Sequence, residues 1–250
     1  MAHVFGTSLA AINCTGLVIA LKEDITNRVS QIIQDKWDFV DAQVVPETKN
    51  IGERNYGKRL KATVLYADID SSTGLVENYN DWFAAEVYKS FLYTAARLIR
   101  YHGGEIRSYD GDRVMGLFIA ETPNTNAVKA AMKLKWAIAN IINPKLKERY
   151  PETGYMLKHT VGIDCSNMLA VRAGIRGSND LSWIGTAANV AAKLNSLPSD
   201  YPTWITHRVY DVLAKEAKFN FNDGRPMWEK RRWKAMDDMT IYRSNWGWVV

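Results

Sequence analysis

The chain is short of cysteine, proline and histidine, with 2, 7 and 4 of them in 250 residues. The cysteines, Cys14 and Cys165, lie far apart and outside any metal-ligand spacing. That spacing excludes a disulfide framework, argues against a cysteine-based zinc site and fits a reducing, cytoplasmic compartment. No apolar run reaches the roughly 20 residues that a membrane helix needs. The longest, residues 9–21, is interrupted by Asn13 and Thr15, and only His3 precedes it as a candidate charge, so the basic start of a signal peptide is missing. Charge of one sign is lacking too: 32 basic residues face 27 acidic ones, net +5. This excess is too mild for a dedicated nucleic-acid binder, yet it suits a protein that meets polyanionic small molecules. Basic residues gather at Arg54, Lys58, Arg59 and Lys61 and again at Lys230, Arg231, Arg232 and Lys234, which read as solvated surface. Internal repeats and low-complexity segments are absent.

What is present is ordinary globular composition, 47% hydrophobic and 24% charged, in a chain long enough to bury a core unaided. Ile25, Val29, Ile32, Ile33, Trp37 and Val40 recur at helical spacing, which predicts a helix over residues 24–40 with Asp24 as N-cap. Residues 46–61 hold turn formers and charges without periodicity and read as a linker. The organisation expected is an N-terminal helical extension (1–45), that linker, and one catalytic domain over 62–250. Within the domain, residues 62–69 suit a buried strand. Phe83, Val87, Phe91, Ala95 and Leu98 stripe a helix over 80–101, stopped by His102-Gly103-Gly104. Residues 105–109 and 113–120 predict a hairpin turning at Asp110-Gly111-Asp112. Pro123 opens a helix that runs to Asn143-Pro144, residues 158–165 and 168–175 read as a second hairpin, a further helix spans Thr186 to just before Pro198, and 239–243 is a strand. The fold class expected is α+β, with helices packed on a largely antiparallel sheet.

Three segments carry candidate chemistry. In the first, a buried strand delivers Asp68 and Ile69 and then turns through Asp70, Ser71, Ser72 and Thr73, whose small side chains leave backbone N–H groups free for phosphate. In the second, Asp110-Gly111-Asp112 puts carboxylates on a hairpin tip. Two carboxylates on adjacent strand ends can chelate a hard divalent cation through oxygen. Each alone is more often a cap or turn residue; together and in this order they form a specific signal. In the third, Asn189 and Lys193 lie four apart on one helix and can address one ligand.

These segments resemble the class III nucleotide cyclase catalytic domain over roughly residues 55–245. That family has a strand ending in Asp-Ile before a small-residue turn, matched at 68–73. It has Gly-Gly, a strand, then Gly-Asp and an apolar strand, matched by Gly103-Gly104 and Gly111-Asp112-Arg113-Val114-Met115. It has an Ile-Gly-x-x-x-Asn-x-Ala-x-Arg-Leu helix, matched from Ile184 to Leu194 except that Lys193 replaces the arginine. The resemblance implies a ferredoxin-like core and two metal ions, Mn²⁺ or Mg²⁺, held by Asp68 and Asp112 with the Ile69 carbonyl. It also implies a head-to-tail homodimer in which Asn189 orients the ribose and Lys193 neutralises the α-phosphate in the partner's site. Lysine is a point charge where arginine is a fork; Arg113, Arg172 and Arg176 are the candidates for the missing guanidinium, and the residues do not choose among them.

The family selects its base largely at two positions, three residues before the Gly of Gly-Asp and three before that of Ile-Gly. Here these are Ser108 and Ser182, not the long side chains of adenylate or guanylate cyclases. The run Arg107-Ser108-Tyr109-Asp110-Gly111-Asp112 resembles the pyrimidine cyclases of bacterial anti-phage Pycsar systems, which make cyclic UMP or cyclic CMP as a second messenger. UTP is the expected substrate, with CTP, then ATP or GTP, as alternatives. A catalytically silent cyclase-like binding module remains a further reading. The presence of both Asp68 and Asp112 speaks against it, since such a module has no electrostatic reason to hold two carboxylates together.

Overall fold

The computed structural model describes residues 9–175 and 177–250, with side chains from Val18 onward except that of Arg176. Helix α1 (Leu9–Gln34) leads into a short strand, β1 (Asp38–Asp41), which runs parallel to the start of β2 (Tyr56–Ile69). Two helices, α2 (Ser72–Asn78) and α3 (Asp81–Tyr101), precede the hairpin β3 (Glu105–Asp110) and β4 (Arg113–Phe118). Next come α4 (Pro123–Ala137), a wide turn at Ile138–Ile142, and α5 (Asn143–Arg149). Strands β5 (His159–Ile175) and β6 (Ser178–Ile184) form a second hairpin, followed by α6 (Thr186–Leu194) and β7 (Thr203–Thr206). Two short helices, α7 (His207–Asp211) and α8 (Lys215–Lys218), and the strands β8 (Glu229–Trp233) and β9 (Met239–Ser244) complete the chain.

One sheet runs β3-β4-β2-β5-β7-β9-β8, with β1 beside β2 and β6 beside β5; every pairing but β1–β2 and β5–β7 is antiparallel. The β3-β4-β2-β5 part, with α3 and α4 as its crossovers, has the ferredoxin-like order expected. Alternation along β2 sends Leu65, Ala67 and Ile69 into a core with Phe83, Val87, Phe91 and Ala95 of α3 and Ala127, Val128 and Ala131 of α4. Ala62 and Val64 go to the opposite face, where they meet Met115, Leu117, Met168 and Ala170 and the alanines Ala187, Ala188 and Ala191 of α6. On β5, Asp164 is fully buried but satisfied: it accepts from Thr206 Oγ1 at 2.5 Å and from Arg208 Nε at 3.2 Å.

Several expected boundaries move. The helix expected over 24–40 starts earlier and ends at Gln34, so Asp24 lies inside it rather than at its cap, and Val40 belongs to β1. Hydrophobic spacing cannot separate the two states there, because Trp37 stacks on Phe39 at 5.5 Å and Phe39 lies beneath the Arg59 guanidinium at 3.9 Å. Strand β2 begins at Tyr56, so residues 56–61 of the expected linker are strand; β1 on one side and β5 on the other fix them despite their charge. Pro144 does not end the helix. The Asn143 N–H reaches back to the Ile138 carbonyl, an i→i+5 bond that widens the turn just ahead of the proline ring, and α5 continues. The hairpin expected at 158–175 is a single strand. Ser166 and Asn167, read as its turn, pair with Ala62 and Lys61, and Ser166 Oγ accepts the Ala187 N–H that starts α6. Strands β1, β6, β7 and β8 lie outside the expected set.

The two outer strands differ in how they end the sheet. On β3 a bulge falls between Ile106 and Ser108. On β8, Lys230, Arg231 and Arg232 are all exposed.

Helix α6 is seated by Gly162. A Cβ there would stand 2.1 Å from the Ala191 carbonyl oxygen and 2.8 Å from Leu194 Cβ. Gly162→Ala is therefore expected to lift α6 and lower stability by about 1–3 kcal/mol, read as a lower urea midpoint. An unchanged midpoint would contradict this seating.

Candidate active site

Asp68 lies one residue beyond the Ala67–Val114 pair, which places Arg113 opposite it, on the face that carries α6. Gly111 has a φ of +60° and closes the β3–β4 turn, setting Asp112 beside Asp68. Arg113 Nε donates to Asp68 Oδ2 at 3.0 Å, and Nη2 lies 3.0 Å from the same oxygen. The other oxygen, Asp68 Oδ1, and Asp112 Oδ2 are buried and have no donor. Burial first, and the Asp112 charge second, push the Asp68 carboxyl up to about 6 against the opposing pull of Arg113. Two buried acceptor oxygens that repel one another and lack donors are a fit for a hard divalent cation. Among the described residues no cluster of three or more His, Cys, Asp or Glu side chains offers a cation a closed cage. An ion here would need oxygens from the backbone or from a ligand.

The strand-to-helix turn is tight. Ser71 has a φ of +59° at the start of α2 and donates to Asp70 Oδ1 at 3.1 Å. Asp70 also accepts from Ser199 Oγ at 2.5 Å, which ties the turn to the segment after α6. Ser72 and Thr73 open α2, so the turn of small residues is adjacent to the carboxylates.

The remaining expected site residues are not gathered here. Asn189 and Lys193 are both exposed on α6; Lys193 Nζ lies 3.5 Å from Met236 Sδ, and no ion pair involves it among the described residues. Ser108 on β3 and Ser182 on β6 are exposed, with β4, β2 and β5 between their strands. The bulge ahead of Ser108 is pinned by Arg107, which donates to the Ile106 carbonyl at 2.8 Å, the Pro46 carbonyl at 3.1 Å and Glu105 Oε2 at 3.1 Å. Of the three candidate guanidinium groups, Arg172 is engaged at the far end of the β2–β5 ladder, with Asn179 Oδ1 at 2.7 Å and Glu53 at 3.6 Å. Arg176 falls outside the described residues, and Arg113 alone meets a carboxylate of the site. Sequence reading named Arg113 without its partner; the β2–β4 register, which no short segment states, sets it across from Asp68.

No protein-family model matches the sequence. A uridylate cyclase of Xanthomonas perforans is 48% identical over 93% of this chain and all of its own length. A uridylate cyclase of Burkholderia cepacia is 43% identical, again over 93% of this chain and its whole length. The chain belongs to the uridylate cyclase family. Its fold is that of class III nucleotide cyclases: the guanylyl cyclase Cya2 superposes with a TM-score of 0.63 at 18% identity, covering 77% of this chain and 95% of that one. The resemblance read from the three motifs is thus borne out for family and fold. In this family member no helix among the described residues is long and apolar enough to cross a membrane.

The unpaired carboxylates make a stability prediction. Asp112→Asn removes one of two like charges and gives Asp68 Oδ1 an amide donor. The metal-free variant should melt about 2–4 °C higher than wild type, measured by thermal denaturation in EDTA. An equal drop would show that the pair is not under repulsion.

Proposed function

We propose that the chain is a pyrimidine nucleotide cyclase that converts UTP to 3′,5′-cyclic UMP and diphosphate, the cyclic product serving as a second messenger in anti-phage defence. The observation that carries the cyclase chemistry is the pair of buried, donor-free carboxylate oxygens on Asp68 and Asp112. The choice of UTP rests on the full-length relatives named uridylate cyclases.

In this reading Asp68 and Asp112, with the Ile69 carbonyl, hold two divalent ions, Mn²⁺ or Mg²⁺. When bound, such ions favour ionisation of the ribose 3′-hydroxyl and neutralise the triphosphate. The 3′-oxygen forms a bond to the α-phosphorus as the bond to the bridging oxygen breaks; diphosphate leaves and the hydroxyl proton passes to solvent. The protein positions the reactants and balances charge, with no covalent intermediate. Backbone N–H groups at Ser71, Ser72 and Thr73 take phosphate oxygens. Asn189 orients the ribose and Lys193 faces the α-phosphate, both in the site of the partner subunit. Their exposure on α6 supports that division. Ser108 and Ser182 carry short hydroxyls that donate or accept, and so suit the O4 and N3–H of uracil.

Two measurements test this reading. Initial rates with Mn²⁺ and each of UTP, CTP, ATP and GTP, alone and in equimolar competition, should favour UTP. Preference for CTP would change only the pyrimidine, whereas preference for a purine would remove the pyrimidine assignment and leave the cyclase fold intact. Asp68→Ala, Asp112→Ala and Lys193→Ala should each lose nearly all turnover while still folding. Mixing Asp68→Ala with Lys193→Ala should restore part of it, because one of the two mixed sites is then wholly wild type. No recovery despite proven subunit exchange would count against a shared site.

A further inference from the structure

Among the described residues Arg113 is the only side chain that donates to the candidate metal carboxylates, and it does so in an unusual way. Both Nε and Nη2 converge on a single oxygen, Asp68 Oδ2, and leave Oδ1 bare. A fork of two donors normally spans both oxygens of a carboxylate. Here the guanidinium covers half of the group, and Asp112 Oδ2 remains uncovered as well. The Arg113 side chain is 35% exposed where that of Asp68 is 17%. It is therefore the more solvent-accessible member of the pair.

A cation bound through the bare Oδ1 would place like charge within a few ångströms of the guanidinium, and one that also took Oδ2 would compete for the lone pairs that Arg113 engages. Ion pair and metal cannot both be satisfied on that oxygen. Arg113 also has somewhere to go: the Tyr66 ring lies 6.0 Å from its guanidinium and offers an apolar rest for the stem. A triphosphate that shares its oxygens with the ions would then lie next to a freed, planar, permanently charged donor. Arg172 is committed to Asn179 and Glu53 at the other end of the ladder, and position 193 is lysine.

We propose that Arg113 is an exchangeable counter-ion: it holds Asp68 in the metal-free protein, yields that oxygen to the incoming cation, and turns onto the phosphate oxygens of the nucleotide. This rests on the reading of Asp68 and Asp112 as the metal carboxylates. It assigns Arg113 two separable effects, opposing metal binding when no nucleotide is present and aiding nucleotide binding once metal is in place.

The test measures Mn²⁺ binding without nucleotide, by the EPR signal of free Mn²⁺, on wild type, Arg113→Met, Arg113→Lys and Asp68→Asn. Methionine keeps the length of the stem and removes the charge, and thermal melts verify that each variant folds. Arg113→Met should bind Mn²⁺ on the order of tenfold more tightly than wild type, with Arg113→Lys in between. At saturating Mn²⁺ the same Arg113→Met protein should show a KM for the triphosphate raised on the order of tenfold, partly rescued by Arg113→Lys. Unchanged or weaker Mn²⁺ binding in Arg113→Met overturns the counter-ion role. An unchanged KM overturns the phosphate role. If Asp68→Asn binds Mn²⁺ as wild type does, the metal assignment itself falls, and the proposal falls with it.

Discussion

The antiparallel ladder between β2 and β5, from Gly57–Val171 to Ile69–His159, is the constraint on which the rest of the molecule depends. A strand of that length presents two faces, and each is committed to a different task. The face toward α3 and α4 is closed by large side chains: Phe83, Phe91, Leu65 and Ile163 are all nearly inaccessible. The face toward α6 is covered by the alanines of that helix, which bring it close, together with Val45 and Ile51. Asp68 stands near one end of the ladder. The hydrogen bonds of the ladder fix its backbone, so the position from which its carboxylate faces Asp112 is a property of the fold.

Sequence reading succeeded where local pattern and tertiary pairing agree, and failed where one overrode the other. The stripe from Phe83 to Leu98 identified α3 within a residue, because every member of it enters the core. The Asp110-Gly111-Asp112 turn was legible because Gly111 supplies a left-handed backbone that few other residues adopt. Ser166 and Asn167 misled, since polar residues that signal a turn in isolation are held in a strand by pairing with β2 and by capping of α6. Pro144 misled because a widened turn makes room for it. The charged start of β2 gave no local sign of its two neighbours, one of which, β1, is only four residues long.

For the candidate site the division is similar. Asp68, Asp112 and the turn at 71–73 were legible because their chemistry is carried by residues close in the chain to a recognisable strand end. The pairing of Arg113 with Asp68 was not, because it depends on register between β2 and β4, which no short segment states. Asn189, Lys193, Ser108 and Ser182 are each placed on exposed positions of regular elements, and no hydrogen bond or ion pair among the described residues joins them to Asp68 or Asp112. A reading of residues in sequence order can name such positions but cannot bring them together.

The two ends of the main run of strands have a consequence for assembly. An open sheet presents unpaired N–H and C=O groups along its last strand, and another chain can extend it there. At β8 an approaching strand would have to bury three cations, Lys230, Arg231 and Arg232, against its own backbone. At β3 the extra residue at the bulge breaks the spacing that a regular strand would need to match, and Arg107 holds that irregularity rigid from Glu105 to Pro46. Both ends thus resist continuation by hydrogen-bond addition. Copies of this chain can crowd together without polymerising through those two strands.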